Sequence, residues 1–194
     1  MKAIKFLFTV MAVATVAVAT AVEKPKMNVV PLTSDKAVVS ISNENPAMFE
    51  LSIVAENGDL VYYKESTKPL NSYQKVFDLK ELPNGSYTFN LKINDTNLSK
   101  NIEVASKGIS VGKSKLSFDP YFNYANNVLK FSYLNFDSES FALNIYNDGV
   151  LIYESKLGKD FNMMNGYDLS ALNAGKYDVV LSSANKEFTY SLEK

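Results

Sequence analysis

The sequence predicts an all-β protein built from two antiparallel sandwiches in tandem, and three observations carry that expectation. One residue pattern is written twice, about ninety residues apart. Apolar and polar residues alternate along most of the chain, the period of a half-buried strand. Beyond the first twenty-odd residues, no stretch of ten or more shows the 3.6-residue period of a helix.

The first copy runs Phe49-Glu-Leu-Ser-Ile53, Asn57-Gly58, Leu60-Val-Tyr62, then Asp78-Leu79-Lys-Glu-Leu82-Pro-Asn-Gly85-Ser-Tyr87. The second runs Phe141-Ala-Leu-Asn-Ile145, Asp148-Gly149, Leu151-Ile-Tyr153, then Asp168-Leu169-Ser-Ala-Leu172-Asn-Ala-Gly175-Lys-Tyr177. A period this long means two copies of one domain, because solenoid units run only ~20–50 residues.

Taken in order, a first strand is expected near Asn28 to Val30, and a second over Ala37 to Ile41. Asn43-Glu44-Asn45-Pro46 reads as a turn, and Phe49, Leu51 and Ile53 mark the next strand. Asn57-Gly58 reads as a hairpin, since Asn-Gly supplies the positive φ that such turns need. Leu60 to Tyr63 continues as a strand. Tyr87, Phe89, Leu91 and Ile93 share one face, and Asn94 to Asn97 turns the chain into Asn101 to Val104. The second copy offers Val128 to Tyr133, Phe141 to Tyr146, Leu151 to Tyr153, Met164 to Leu169, Tyr177 to Leu181 and Phe188 to Leu192. About seven strands per copy fit two immunoglobulin-like sandwiches. The expected boundary lies at the short polar stretch Ala105 to Gly108, giving domains 22–106 and 107–194.

The shared motif has a structural explanation. Leu82-Pro83-Asn84-Gly85 reads as a type I turn with Pro at its second position. Tyr87 and Tyr177, two residues after Gly85 and Gly175, then begin a strand facing inward. This spacing resembles a tyrosine corner, in which the phenol bonds back to the backbone of the preceding crossover. Leu79 with Leu82, and Leu169 with Leu172, would plug the end of each core.

The chain opens as a secretory leader over residues 1–21. Lys2 and Lys5 are its basic part, Phe6 to Val18 its apolar run, and Ala19-Thr20-Ala21 its small-x-small cleavage site. The apolar run falls short of the ~20 residues that span a bilayer, and no later stretch is apolar enough. The expected location is therefore the periplasm, the cell surface or the extracellular space.

The whole chain has 20 Lys plus Arg against 21 Asp plus Glu, and every one of the basic residues is Lys. Singly spread lysines leave no electrostatic footprint for nucleic acid. Cys, His and Trp are absent. That excludes disulfides, a lipid-modified N-terminal Cys, nucleophile–His constellations and the usual zinc ligand sets. No cofactor is expected.

The order Ile-x-x-x-x-Gly-x-x-Val-Tyr, spacer, Asp-Leu-x-x-Leu-x-x-Gly-x-Tyr, then a last strand ending in Lys resembles the C-terminal sorting domains of the Bacteroidetes type IX secretion system. It is similar also to small secreted sandwich proteins of those bacteria. Phe141 to Lys194 carries the fuller resemblance and Phe49 to Val104 nearly as much. The resemblance implies recognition by outer-membrane export machinery, with the second sandwich as the sorting signal.

Carboxylates are what remains for chemistry. A glycoside hydrolase needs two of them roughly 5–9.5 Å apart. Asp137, Glu139 and Glu154 are the candidates, placed in turns or on polar strand faces where solvated acids are expected. Asn43-Glu44-Asn45, Asp137-Ser-Glu139 and Asn147-Asp148 could offer oxygens to calcium, though none matches an EF-hand loop. Tyr121, Phe122 and Tyr124 have no counterpart in the first copy. They are the candidate binding surface, able to stack on a glycan or fill a pocket of a surface protein, or else a strand whose alternate rings reach the core. The reading is of an exported, non-catalytic tandem sandwich that binds or builds at the cell surface or in the periplasm. The alternatives are a sorting module and, more remotely, a carboxylate-based glycoside hydrolase.

Overall fold

The computed structural model describes residues 24–194, so the leader expected over residues 1–21 lies outside the described residues. The described residues divide after Phe118 into two compact units.

Alternation sets the first unit. Its strands are β1 (Lys26–Pro31), β2 (Lys36–Ala47), β3 (Glu50–Ala55), β4 (Leu60–Glu65), β5 (Leu70–Asp78), β6 (Gly85–Ile93), β7 (Thr96–Ala105) and β8 (Gly108–Phe118). They form a three-stranded sheet, β1-β2-β5, and a five-stranded sheet, β4-β3-β6-β7-β8. Every pairing is antiparallel. Val39, Ile41 and Phe77 of one sheet meet Leu51, Ile53, Phe89, Leu91 and Ile102 of the other in a single core. At roughly 25 cal/mol per Å² of apolar surface removed from water, such burial is the main force holding a disulfide-free sandwich together.

The second unit contains β9 (Tyr121–Ala125), β10 (Val128–Leu134), β11 (Phe141–Asn147), β12 (Val150–Gly158), β13 (Asn162–Asp168), β14 (Lys176–Ser182) and β15 (Glu187–Glu193). Its sheets are β9-β10-β13 and β12-β11-β14-β15. Their core joins Leu129, Phe131, Met163 and Tyr167 to Leu143, Ile145, Val179 and Leu181. With β8 set aside, the two units have the same strand order, so the repeat in sequence is a repeat in topology. Both are antiparallel sandwiches of immunoglobulin type, and no helix occurs among the described residues.

Three local expectations need correction. The boundary expected between residues 106 and 107 falls after Phe118 instead. Gly108 to Phe118 forms an eighth strand that pairs with β7, from Ala105↔Gly108 to Thr96↔Phe118, so the polar stretch at 105–108 is a hairpin within the first unit. Gly108, at φ +129, serves that tight return. Asn43 to Pro46 is not a hairpin turn. It lies inside β2, where the register with β5 breaks between Ser42 and Ala47. Finally, the hydrogen-bonded turn after β5 is Leu79–Leu82 rather than Leu82–Gly85: Leu82 N–H donates to Leu79 O, as Leu172 does to Leu169.

The two copies also differ at the matching hairpin. In the first, Gly58 N–H donates to Ala55 O and only Gly58 has positive φ, +91. That is a type I turn followed by a left-handed glycine, a three-residue loop. In the second, Asn147 pairs with Val150 and both intervening residues are left-handed, Asp148 at +48 and Gly149 at +76. That is the two-residue type I′ hairpin, which Asp-Gly favours.

Candidate functional site

The repeated Gly-x-Tyr residues lie at the end of each core. The Tyr87 hydroxyl donates to Pro83 O at 2.8 Å, and the Tyr177 hydroxyl to Asn173 O at 2.8 Å. Each phenol therefore closes the crossover that precedes its own strand. The crossovers are held at their start as well, where Asp78 Oδ1 accepts from Lys80 N–H and Asp168 Oδ1 from Ser170 N–H. Ser170 holds the Asp168 carboxyl below its ordinary value of 3.8. In the second unit, Lys194 Nζ donates to the carbonyls of Ser170 and Leu172, and Lys194 and Gly175 exchange backbone hydrogen bonds. Both tyrosine rings are buried. Gly85 has φ +155, whereas Gly175 lies outside the left-handed range.

The aromatic run does not form one surface. Tyr121, Phe122 and Tyr124 lie on β9, whose alternation turns Tyr121 outward at 63% exposure. Phe122 and Tyr124 turn toward the core. Phe122 stacks on Tyr190 at 5.3 Å and lies 6.0 Å from Phe131. The Tyr124 hydroxyl donates to Asn127 Oδ1 at 3.3 Å. Of the three, Tyr121 alone is well exposed on the outer face of its sheet. It shares a row with Ser132 and the exposed Met164, since both pair with Ser132.

The acidic candidates lead to an arrangement that sequence reasoning missed. Asn135, just past β10, is buried, and its amide spans the loop that follows: Nδ2 donates to Glu139 O at 2.8 Å and Oδ1 accepts from Glu139 N–H at 3.1 Å. This fixes Asp137 and Glu139. Asp137 pairs with Lys186 at 2.7 Å, and Lys186 also reaches the Tyr133 hydroxyl at 3.5 Å. Glu139 accepts from the Ser183 hydroxyl and from Asn185 Nδ2. Burial on its own would favour the neutral amine of Lys186, but the Asp137 hydrogen bond and Tyr133 outweigh it and hold the ammonium above 10.5. Burial raises the Tyr133 phenol above 10.0. The Asp137–Lys186 pair joins residues 49 apart in sequence, a separation that no motif spacing reveals.

Glu154 does not join them. It is exposed on β12, opposite Asn144. Asn43 Nδ2 is used on Asn45 O, and Asn147 Nδ2 on Lys176 O. Among the described residues, no group of three or more acid, His or Cys side chains converges as a metal site would require.

These geometries define the molecule as a pair of immunoglobulin-type sandwiches, each closed by a tyrosine corner. Residues 33–105 match the family of the secretion system C-terminal sorting domain. The first sandwich is thus sorting-domain-like, and the match falls on this copy rather than on Phe141 to Lys194, where the sequence resemblance looked fuller. No curated protein matches the chain. Among solved structures, a two-domain fibronectin type III segment from chicken tenascin is similar at 12% identity and TM-score 0.32, covering 87% of this chain and 98% of that one. The BSP domain of a biofilm-associated protein is similar at 11% identity and TM-score 0.29, covering 88% of this chain and 29% of that one. The human OSCAR ligand-binding domain is similar at 7% identity and TM-score 0.26, with 88% and 97% covered.

Proposed function

We propose that this is an exported, non-catalytic tandem sandwich with a binding or structural role at the cell surface, delivered by type IX export machinery that reads its sandwich fold. The match of residues 33–105 to a sorting domain carries the proposal. The second sandwich repeats the same strand order and corner, so it is the other candidate signal. The binding role draws support from the open sheet edges. β4 and β12 close one side of their sheets with apolar residues in the open, Leu60 and Val61 in one copy, Leu151 and Ile152 in the other. Natural edges usually carry charge there instead.

The test fuses residues 24–118 and residues 119–194 separately to a periplasmic reporter in a host with type IX export. Surface delivery by the first fusion supports sorting by the matched copy, and delivery by the second alone moves the signal to the other copy. Periplasmic retention of both, with each fusion folded by circular dichroism, sinks the sorting reading.

A further inference from the structure

The two units end their larger sheets with edges of opposite charge. β8 closes the five-stranded sheet, and no strand pairs with its outer edge among the described residues. With the preceding residue, it carries Lys107, Lys113 and Lys115 and no acid, and all three lysines are exposed. β15 closes the four-stranded sheet in the same way. It carries Glu187 and Glu193, both exposed, and no lysine between them.

The lysines flanking β15 are engaged elsewhere. Lys186 pairs with Asp137, and Lys194 Nζ donates into the 170–172 loop. Lys176 stands opposite Glu193 on β14, while Glu187 faces Ser182. On the β8 side, Lys100 is opposite Ser114 and Glu103 is opposite Ser110. The same asymmetry runs through the units: residues 24–118 hold 12 Lys against 10 acids, and residues 119–194 hold 6 Lys against 10.

Sheet edges with unpaired backbone groups accept further strands, and charge decides which. Two β15 edges meeting antiparallel about Tyr190 would set Glu187 against Glu193, and two β8 edges would set lysines against lysines. Like charges directly opposite destabilise a strand pair, and opposite charges stabilise it. Each edge thus repels its own kind and matches the other.

We propose that copies of this chain associate head to tail, the outer edge of β15 in one adding to the outer edge of β8 in the next. Such a heterologous contact leaves one edge of each kind free at the ends, so assembly proceeds past the dimer. It needs no export machinery, and sorting can fail while it holds.

Sedimentation velocity of the mature chain over a concentration series is the test. At low salt the average mass should roughly double or more as concentration rises, and at 1 M salt, where the screening length falls to about 3 Å, the chain should stay monomeric. Glu187→Lys/Glu193→Lys should abolish association, as should Lys113→Glu/Lys115→Glu. An equimolar mixture of the two variants should restore it, because every edge again finds its opposite. Far-ultraviolet circular dichroism checks that both variants keep the wild-type fold. A wild-type chain monomeric at every concentration, association indifferent to both charge reversals, or folded variants that stay monomeric when mixed would each overturn the proposal.

Discussion

Tyr167 on β13 stands where the first sandwich has Phe77 on β5, each ring immediately before the Asp-Leu pair that opens the crossover. Phe77 lies edge-on to Phe89 at 5.5 Å and to Tyr62 at 4.9 Å. Tyr167 stacks on Phe131 at 6.3 Å and lies edge-on to Tyr153 at 5.6 Å. Its extra hydroxyl is buried near the Ser155 and Asn165 side chains, but neither meets it in hydrogen-bond geometry. Burial pushes the phenol above 10.0 against the lowering pull of those two side chains. An unsatisfied buried hydroxyl costs roughly 1–3 kcal/mol. Tyr167→Phe should therefore stabilise the second unit by about 1 kcal/mol. In a domain of this size that raises Tm by roughly 4–8 °C. Thermal unfolding measures it, and a lowered Tm would show that the hydroxyl is satisfied in solution.

The same one-atom deletion should have the opposite sign at the corners. Tyr87 and Tyr177 each donate at 2.8 Å to a backbone carbonyl four residues upstream. Tyr87→Phe and Tyr177→Phe each leave that carbonyl without its partner, at a cost of about 1 kcal/mol. The loss should be local. Amide exchange should accelerate in 24–118 for the first variant and in 119–194 for the second. No change in either would remove the corner from the account of stability.

Much of this fold is legible because period two survives in nearly every strand. Leu51 and Ile53, and Leu143 and Ile145, announce their buried faces through polar residues between them. β8 is harder to see. Ile109, Val111 and Leu116 are only partly buried, and its register slips beside Gly112 between Lys100 and Ile102. A weak apolar signal interrupted by a bulge hides the strand, and the polar hairpin just before it is read as the boundary between domains. Asn43 to Pro46 misleads for the opposite reason: turn-favouring residues sit in a strand whose ladder has broken. The corner spacing is local, so sequence carries it. The Asn135–Asp137–Lys186 arrangement depends on a loop and a distant turn meeting in space, and no local spacing encodes that.

Gly85 and Gly175 occupy matching places in the repeat but not matching conformations. Gly85 at φ +155 sits where an L side chain is strained, although a Cβ there would meet nothing within 4 Å. A Cβ on Gly175 would lie 3.6 Å from Asn147 Nδ2 and 3.9 Å from Tyr177 Cε2, ordinary contact distances. Gly85→Ala should therefore destabilise the first unit by about 1 kcal/mol or more. Gly175→Ala should be near neutral, or stabilise by up to about 1 kcal/mol through the stiffer unfolded chain. Urea midpoints of the two variants decide. Equal losses would mean that the glycines do the same job.

The last expectation concerns pH, and it rests on Asp137 and Lys186. The side chains of the pair are 16% and 26% exposed, so solvent still screens it and its worth is about 1 kcal/mol at neutral pH. Burial alone would lower the lysine, but Asp137, followed by Tyr133, raises it above 10.5. A raised folded value means that the stabilisation is complete below the unfolded value and is lost as pH climbs through the folded one. Tyr133, raised by burial above 10.0, loses stability in the same direction. Asp137→Asn removes the main support of the ammonium and leaves burial to lower it, and it also withdraws a charge that raises Tyr133. The variant should be less stable than wild type at neutral pH, and the gap should narrow above about pH 10 as wild type loses its advantage. Urea unfolding from neutral to strongly alkaline pH measures both curves. Curves that stay parallel through the lysine range would show that the pair contributes nothing to the linkage.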